Sequence, residues 1–168
     1  MGFDLALLVL RVVVGLLMAG HGAQKLFGWF GGHGLKGTAG WLGSTGMRPA
    51  TFWAFMAGLS EFGGGLLVVF GLLSPLGELG IIAAMVMAIV KGHLGKGIWN
   101  TNGGSELPLT YLVVALALAF SGPGAYSLDN LLGVTLPQPI TLLGGLAAVA
   151  VGVAVALLSQ VRQPAPAA

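Results

Sequence analysis

The carboxylate of Glu61 lies inside an apolar, glycine-rich stretch, residues 52–72, and no other charged residue occurs within twelve positions on either side. An ionised carboxylate at the centre of a bilayer costs at least about 3 kcal/mol unless a partner or water meets it. If this stretch crosses a membrane, Glu61 therefore requires a cationic or hydrogen-bonding partner. A carboxylate held in such a position is also a candidate for proton transfer.

The first apolar stretch carries three candidate partners for Glu61. Arg11 and Lys25 are fourteen residues apart, so on a helix they share a face to within ~40°. His21 precedes Lys25 by one helical turn and lies on the same side. The helical rise places Glu61 between Arg11 and His21 in depth. If the first two long helices pack on these faces, Glu61 lies within side-chain reach of Arg11 or His21.

Two further ionisable residues lie near the end of the third apolar stretch and after it. His93 is close to the end of that stretch, at about the depth of Lys25, and Glu106 comes from the next loop. A carboxylate beside imidazoles is suited to proton transfer, because imidazole titrates near neutral pH. The predicted site has three proton-exchanging residues and three cofactor-binding residues: Glu61, His21 and His93, and then Lys25, Arg11 and Glu106.

The same residues also have structural interpretations. Glu61 and Arg11 could form an ion pair that holds two helices together. Histidines at helix ends often lie in the hydrated interface, and Lys25 could extend towards lipid head groups. The histidines and glutamates lack the compact spacing of a metal-binding motif, so no metal site is predicted.

The composition indicates an integral membrane protein. Only 7% of the residues are charged, against roughly 25% in soluble domains. The 30 glycines lie within Leu, Val and Ala runs, where small residues let spanning helices approach closely. The seven Lys and Arg are scattered singly, so no nucleic-acid partner is expected. The chain has no cysteine, which excludes disulfides, cysteine-ligated metals and a dithiol relay within it.

Five apolar stretches predict an all-α membrane protein, a polytopic bundle with a four-helix core and a fifth C-terminal transmembrane helix. The stretches are residues 4–26, 52–72, 76–94, 107–121 and 140–161. Four are long enough to cross the ~30 Å of hydrocarbon, and the fourth in order is short. The expected division is a four-helix domain over 1–135 with an amphipathic first loop, an added helix over 136–162, and a disordered tail over 163–168.

The basic residues predict the orientation. If the stretches alternate in direction, six of the seven Lys and Arg fall on one side: Lys25, Lys36, Arg48, Lys91, Lys96 and Arg162. The positive-inside rule then places that side in the cytoplasm. The N-terminus is expected outside and the C-terminus in the cytoplasm.

Several motifs resemble those of DoxX-family bacterial membrane proteins. The first apolar stretch ends in His21-Gly22-x-Gln24-Lys25-Leu26-Phe27-Gly28, and the second contains Ala57-Gly58-x-x-Glu61-Phe62-x-Gly64-Gly65. Later segments, Gly103-Gly104-x-Glu106-x-Pro108-Leu109 and Gly122-Pro123-Gly124-x-Tyr126-Ser127-Leu128-Asp129, are similar to the family's closing part. The resemblance covers about residues 10–131. The stretch 140–161 lies beyond the family core, and Leu107 stands where many relatives have an aromatic residue.

The resemblance implies a bundle of about four helices in the bacterial inner membrane and a role in membrane-associated redox systems. DoxD-like relatives form part of thiosulfate:quinone oxidoreductase, and other members are linked to oxidative-stress complexes. We therefore expect a membrane subunit of a quinone-linked oxidoreductase. Glu61 and His21 would exchange protons, and His93 or Lys25 would bond a quinone carbonyl.

The sequence shows no ligands for haem, flavin or an iron–sulfur cluster, so electrons would come from a partner redox protein. Membrane lipids are the other expected partners. The alternative is a non-catalytic membrane scaffold that recruits soluble enzymes through its basic loops.

Overall fold

The computed structural model describes residues 2–161. Helices form nearly all of the regular structure in this range, and the apolar stretches of the sequence become the long helices. The α-helices are α1 (Gly2–Phe27), α2 (Gly34–Ser44), α3 (Ala50–Phe70), α4 (Leu76–Ala88), α5 (Glu106–Ser121), α6 (Leu128–Leu132) and α7 (Ile140–Leu158). Arg162 and the predicted disordered tail at 163–168 lie outside the described residues.

Four helical segments are long and apolar enough to cross a membrane: Gly2–Phe27, Ala50–Phe70, Leu76–His93 and Ile140–Leu158. The third of these consists of α4 and the π-helical turn Ile89–His93 that continues it. Helix α5 has 16 residues and covers about 24 Å at 1.5 Å per residue, so it is the short member. This confirms the predicted all-α bundle.

Glycines bring α1 and α3 into backbone contact. A methyl group at Gly22 would overlap the backbone of Phe62, and one at Gly65 would overlap the backbone of Ala19. Small residues permit this approach between spanning helices. The later residue of α1, Gly22, contacts the earlier residue of α3, Phe62, and Ala19 contacts Gly65. The two helices are therefore antiparallel.

Helix α2 and the end of α7 meet at the end of the bundle where α1 stops. Leu42 of α2 is buried in one cluster with Met47, Ala54 and Ala156. The amide of Val161, just after α7, donates a hydrogen bond of 2.9 Å to the carbonyl of Gly46. The last helix therefore ends on the same side of the bundle as α2.

Helix α7 packs mainly against α4. Leu142 of α7 is buried beside Leu79 of α4 and Ala119 of α5. Because α7 otherwise approaches α2 and α3 only near its C-terminal end, a space remains between α3, α4 and α7.

Candidate functional site

Lys25 is the ion-pair partner of Glu61. The Nζ of Lys25 donates to both carboxylate oxygens of Glu61. Glu61 is almost completely buried, with 2% of its side chain exposed, whereas Lys25 keeps 32%. Gly58 permits this contact, since Leu26 and the Cβ of Lys25 lie where a side chain at position 58 would be. The pair joins the C-terminal end of α1 to the middle of α3.

This ion pair lies on the wall of a cavity of about 840 Å³. The cavity is bounded by α2, α3, α4 and α7, and nearly all of its lining is apolar. Aromatic side chains on the α2 and α3 walls are Trp41, Phe52 and Trp53. Ligand pockets in proteins typically measure ~300–1,000 Å³ and combine apolar walls with a few polar groups. The cavity has both properties.

Two more ionisable side chains, His93 and Lys91, line the same cavity from the end of the α4 segment. The Nδ1 of His93 lies 2.7 Å from the carbonyl oxygen of Gly103. A carbonyl oxygen only accepts, so Nδ1 carries the proton, and in the neutral ring Nε2 is the acceptor. The ammonium of Lys91 makes no hydrogen bond within residues 2–161 and is available to a ligand.

Three of the six predicted site residues therefore share the cavity: Glu61, Lys25 and His93. His21 is exposed and lies elsewhere, with its Nδ1 3.2 Å from the Oε1 of Gln24 and its ring 6.2 Å from that of Tyr111. Glu106 is also exposed, and its Oε2 accepts a 3.0 Å hydrogen bond from the amide of Asn100. Neither residue reaches Glu61.

Arg11 is not the partner of Glu61, in contrast to the ion pair considered from the sequence. The contact of Gly22 with Phe62 sets the register of α1 against α3 and places Glu61 beside Lys25. Arg11 lies eleven residues before Gly22, about 16 Å further along the helix. The depth estimate from the sequence assumed level helix ends and therefore missed this register.

Arg11 instead belongs to a second buried polar cluster at the opposite end of the bundle. Its Nη1 donates a 2.6 Å hydrogen bond to the carbonyl of Pro123, and its Nη2 donates to that of Tyr126. The guanidinium is also attracted by Glu78 and Asp129. All three charged side chains are buried.

Asp129 holds the turn between α3 and α4 in this cluster. Its two carboxylate oxygens accept from the amides of Leu73 at 2.8 Å and Ser74 at 2.9 Å. The hydroxyl of Ser74 donates to Glu78 at 3.2 Å. The sequence alone did not place Glu78 or Asp129 beside Arg11. The predicted depth of Arg11 in the membrane could have indicated these two carboxylates, because a buried guanidinium requires acidic groups at the same depth in the bundle.

Residues 2–161 contain no group of three or more histidine, aspartate or glutamate side chains placed to hold a metal ion. The titratable groups at the cavity occur as an ion pair, a histidine and a lysine. Such a set can bind and orient an oxygen-bearing ring and exchange protons with it.

The model of the DoxX family matches residues 6–94, which is more than half of the chain. The chain belongs to the DoxX family. The matched part contains most of α1 and all of α2 to α4, so it includes Lys25, Glu61 and His93, but it ends before the motifs at 103–129. Comparisons with curated proteins and with solved structures found no match. The apolar helices and the family together identify a multi-pass membrane protein.

Proposed function

We propose that this DoxX protein is the membrane subunit of a quinone-linked redox system and binds a quinone in the cavity between α3, α4 and α7. The observation that carries the proposal is the buried Lys25–Glu61 ion pair on the wall of an otherwise apolar cavity. A purely structural ion pair has no need of an adjoining space of about 840 Å³.

The side chains at the cavity fit the chemistry of a quinone. A quinone has a flat ring, two carbonyl oxygens that accept hydrogen bonds, and an apolar chain. Lys25 and Lys91 provide ammonium donors for the oxygens. Trp41 and Trp53 provide aromatic surfaces against which a ring can pack.

Reduction of a quinone to a quinol consumes two electrons and two protons. In this proposal the electrons come from a partner redox protein, because the chain has no cysteine for an iron–sulfur centre. Lys25 holds one quinone oxygen through its ammonium group, and Glu61, once protonated, transfers one proton to that oxygen while the other oxygen takes the second proton from His93. His93 takes up protons at Nε2 from the aqueous side and passes them to Glu61 and to the quinone.

We also propose the orientation of the chain in a bacterial inner membrane. The ends of α1 and α4 bring Lys25 and Lys91 to one side of the bundle, where the exposed Lys36 and Lys96 also lie. The hydrogen bond from Val161 to Gly46 supports a C-terminus on that same side. The positive-inside rule makes this side cytoplasmic.

Binding of a decyl-substituted benzoquinone to the purified protein in lipid nanodiscs tests the proposal. Trp41 and Trp53 line the cavity, so quenching of their fluorescence reports occupancy. We expect saturable quenching by the wild type and at least tenfold weaker binding by Glu61→Gln.

Glu78→Gln is the matched control, since Glu78 is also 2% exposed but lies outside the cavity lining. It should bind as the wild type does. Equal affinities of the wild type and Glu61→Gln would contradict the proposed role of the ion pair.

The scaffold alternative retains one supporting observation, the exposed basic residues Lys36, Arg48 and Lys96 on the proposed cytoplasmic side. It predicts that Lys36→Gln with Lys96→Gln abolishes co-purification of a soluble protein. It also predicts that Glu61→Gln changes stability alone, with no quinone affinity to lose.

A further inference from the structure

Helix α7 lies outside the segment that matches the DoxX family, yet it forms one wall of the cavity. The residues it contributes are small or β-branched: Ala148, Val149, Gly152, Val153 and Ala156. They recur at helical spacings of one, four, five and eight, which place them on one face of α7. A smooth, apolar face of this kind offers contact area but no hydrogen-bonding groups.

Gly152 leaves the cavity wide at the middle of this face. A Cβ atom added there would meet no atom within 4 Å. The opposite walls carry Met56 and Met87, whose flexible side chains adapt to irregular shapes. The width of the cavity at this point therefore depends on the absence of a side chain at Gly152, because the methionines opposite are flexible.

The cavity is closed towards the end of α7. Ala156 is buried against Leu42 and Met47, and the hydrogen bond from Val161 to Gly46 fixes this closure. A ligand whose ring lies at Lys25 and Glu61 thus has its apolar chain against the α7 face, where the space remains.

We propose that α7 is the specificity element of this DoxX protein and selects a ligand with one long apolar chain, which packs along the face formed by Ala148, Gly152 and Val153. This inference rests on the proposed quinone site for the identity of the head group. The volume of about 840 Å³ is near the upper end for a drug-sized ligand, which corresponds to a ring with the first part of a single chain.

Two benzoquinones with the same ring test the inference, one with a methyl group and one with a decyl chain. Affinities for the protein in nanodiscs are corrected for partition of each probe into protein-free nanodiscs. The wild type should bind the decyl compound at least tenfold more tightly. Gly152→Leu should lower that preference about tenfold, because the loss of contact with roughly two methylene groups of the chain corresponds to about this factor in affinity. The affinity for the methyl compound should not change.

Gly144→Leu is the matched control. Gly144 is also on α7 and has open space beside it, but it does not line the cavity, so its variant should keep the full chain preference. If Gly152→Leu fails to fold, Ala148→Leu places the same obstacle on the same face.

The outcomes separate the two proposals. Saturable binding of both probes with the same chain preference in Gly152→Leu and Gly144→Leu would overturn the role of α7 and leave the quinone site standing. Binding of neither probe by the wild type would overturn both. A third outcome concerns lipid. If brominated phospholipid quenches Trp41 and Trp53 and saturating decyl benzoquinone does not reduce this quenching, the space is filled by bulk lipid, and the inference is overturned.

Discussion

Removing either member of the Lys25–Glu61 pair should destabilise the protein unequally. Lys25→Met leaves the Glu61 carboxylate with 2% exposure and no cation, whereas Glu61→Gln leaves an ammonium with 32% exposure. The lysine can turn towards the aqueous interface because it lies near the end of α1. The carboxylate near the middle of α3 cannot.

The expected magnitudes follow from this asymmetry. Breaking a buried ion pair by removing one partner costs about 3–5 kcal/mol, and we expect Lys25→Met to approach the lower end of that range. Glu61→Gln should cost about 1–2 kcal/mol, because the remaining ammonium is partly solvated. The double variant Lys25→Met/Glu61→Gln should recover about 1–3 kcal/mol of the summed loss, the usual coupling of residues in contact.

Unfolding free energies by steric trapping in bicelles measure this double-mutant cycle, with helix content by circular dichroism as a check on folding. Arg11→Leu combined with Glu61→Gln is the control pair, because Arg11 is fourteen residues from Lys25, about 21 Å along the helix, and its effect should add to that of Glu61→Gln. A Lys25/Glu61 cycle that adds within about 0.5 kcal/mol would refute the ion pair as described.

Three further outcomes follow from the packing and the proposed orientation. Gly22→Ala should cost at least about 1–3 kcal/mol by overpacking against α3, whereas Gly20→Ala has open space and should be neutral; equal thermal midpoints would contradict the contact. Arg11→Leu should cost about 3 kcal/mol, since it removes the cation that attracts the buried Glu78 and Asp129, but should not change the quinone affinity of the folded fraction measured by tryptophan quenching. Because the chain lacks cysteine, maleimide labelling of Lys96→Cys should require membrane permeabilisation, and that of Thr135→Cys should not; the reverse pattern would invert the orientation.

The long helices could be predicted from the sequence because hydrocarbon imposes a simple rule. A bilayer of ~30 Å requires about 20 apolar residues in a helix, and charged residues are too sparse here to obscure the stretches. The predicted stretch 52–72 therefore differs from α3, Ala50–Phe70, by only two residues at each end. The short stretch 107–121 became the short helix α5 for the same reason.

The partners of the buried charges could be predicted only in part. The sequence places Lys25 and Arg11 on one face of α1, and both are possible partners of a carboxylate on α3. Only the backbone contact between Gly22 and Phe62 decides between them, and contact register is not encoded in hydropathy. His21 shares the side of Lys25 by helical spacing, yet it turns towards Tyr111 of α5.

The cavity itself could not be foreseen from the sequence. It arises because α7 packs on α4 and closes on α2 only near Ala156. A pattern of small residues on α7 is equally typical of close helix packing. Only the arrangement of α2, α4 and α7 in the structure shows that this face of α7 lines a cavity and is not a packed interface.

Photolabelling with an azido-substituted benzoquinone that carries a decyl chain is the most direct test of the proposed site. After irradiation in nanodiscs, mass spectrometry locates the modified residues, with excess unmodified decyl benzoquinone as the competitor. The account predicts competable labelling on the cavity segments of α3, α4 and α7, lost in Glu61→Gln and kept in Glu78→Gln. Labelling near Arg11 that the competitor reduces would contradict it. Labelling confined to the lipid-facing sides of the helices that the competitor does not reduce would contradict it as well.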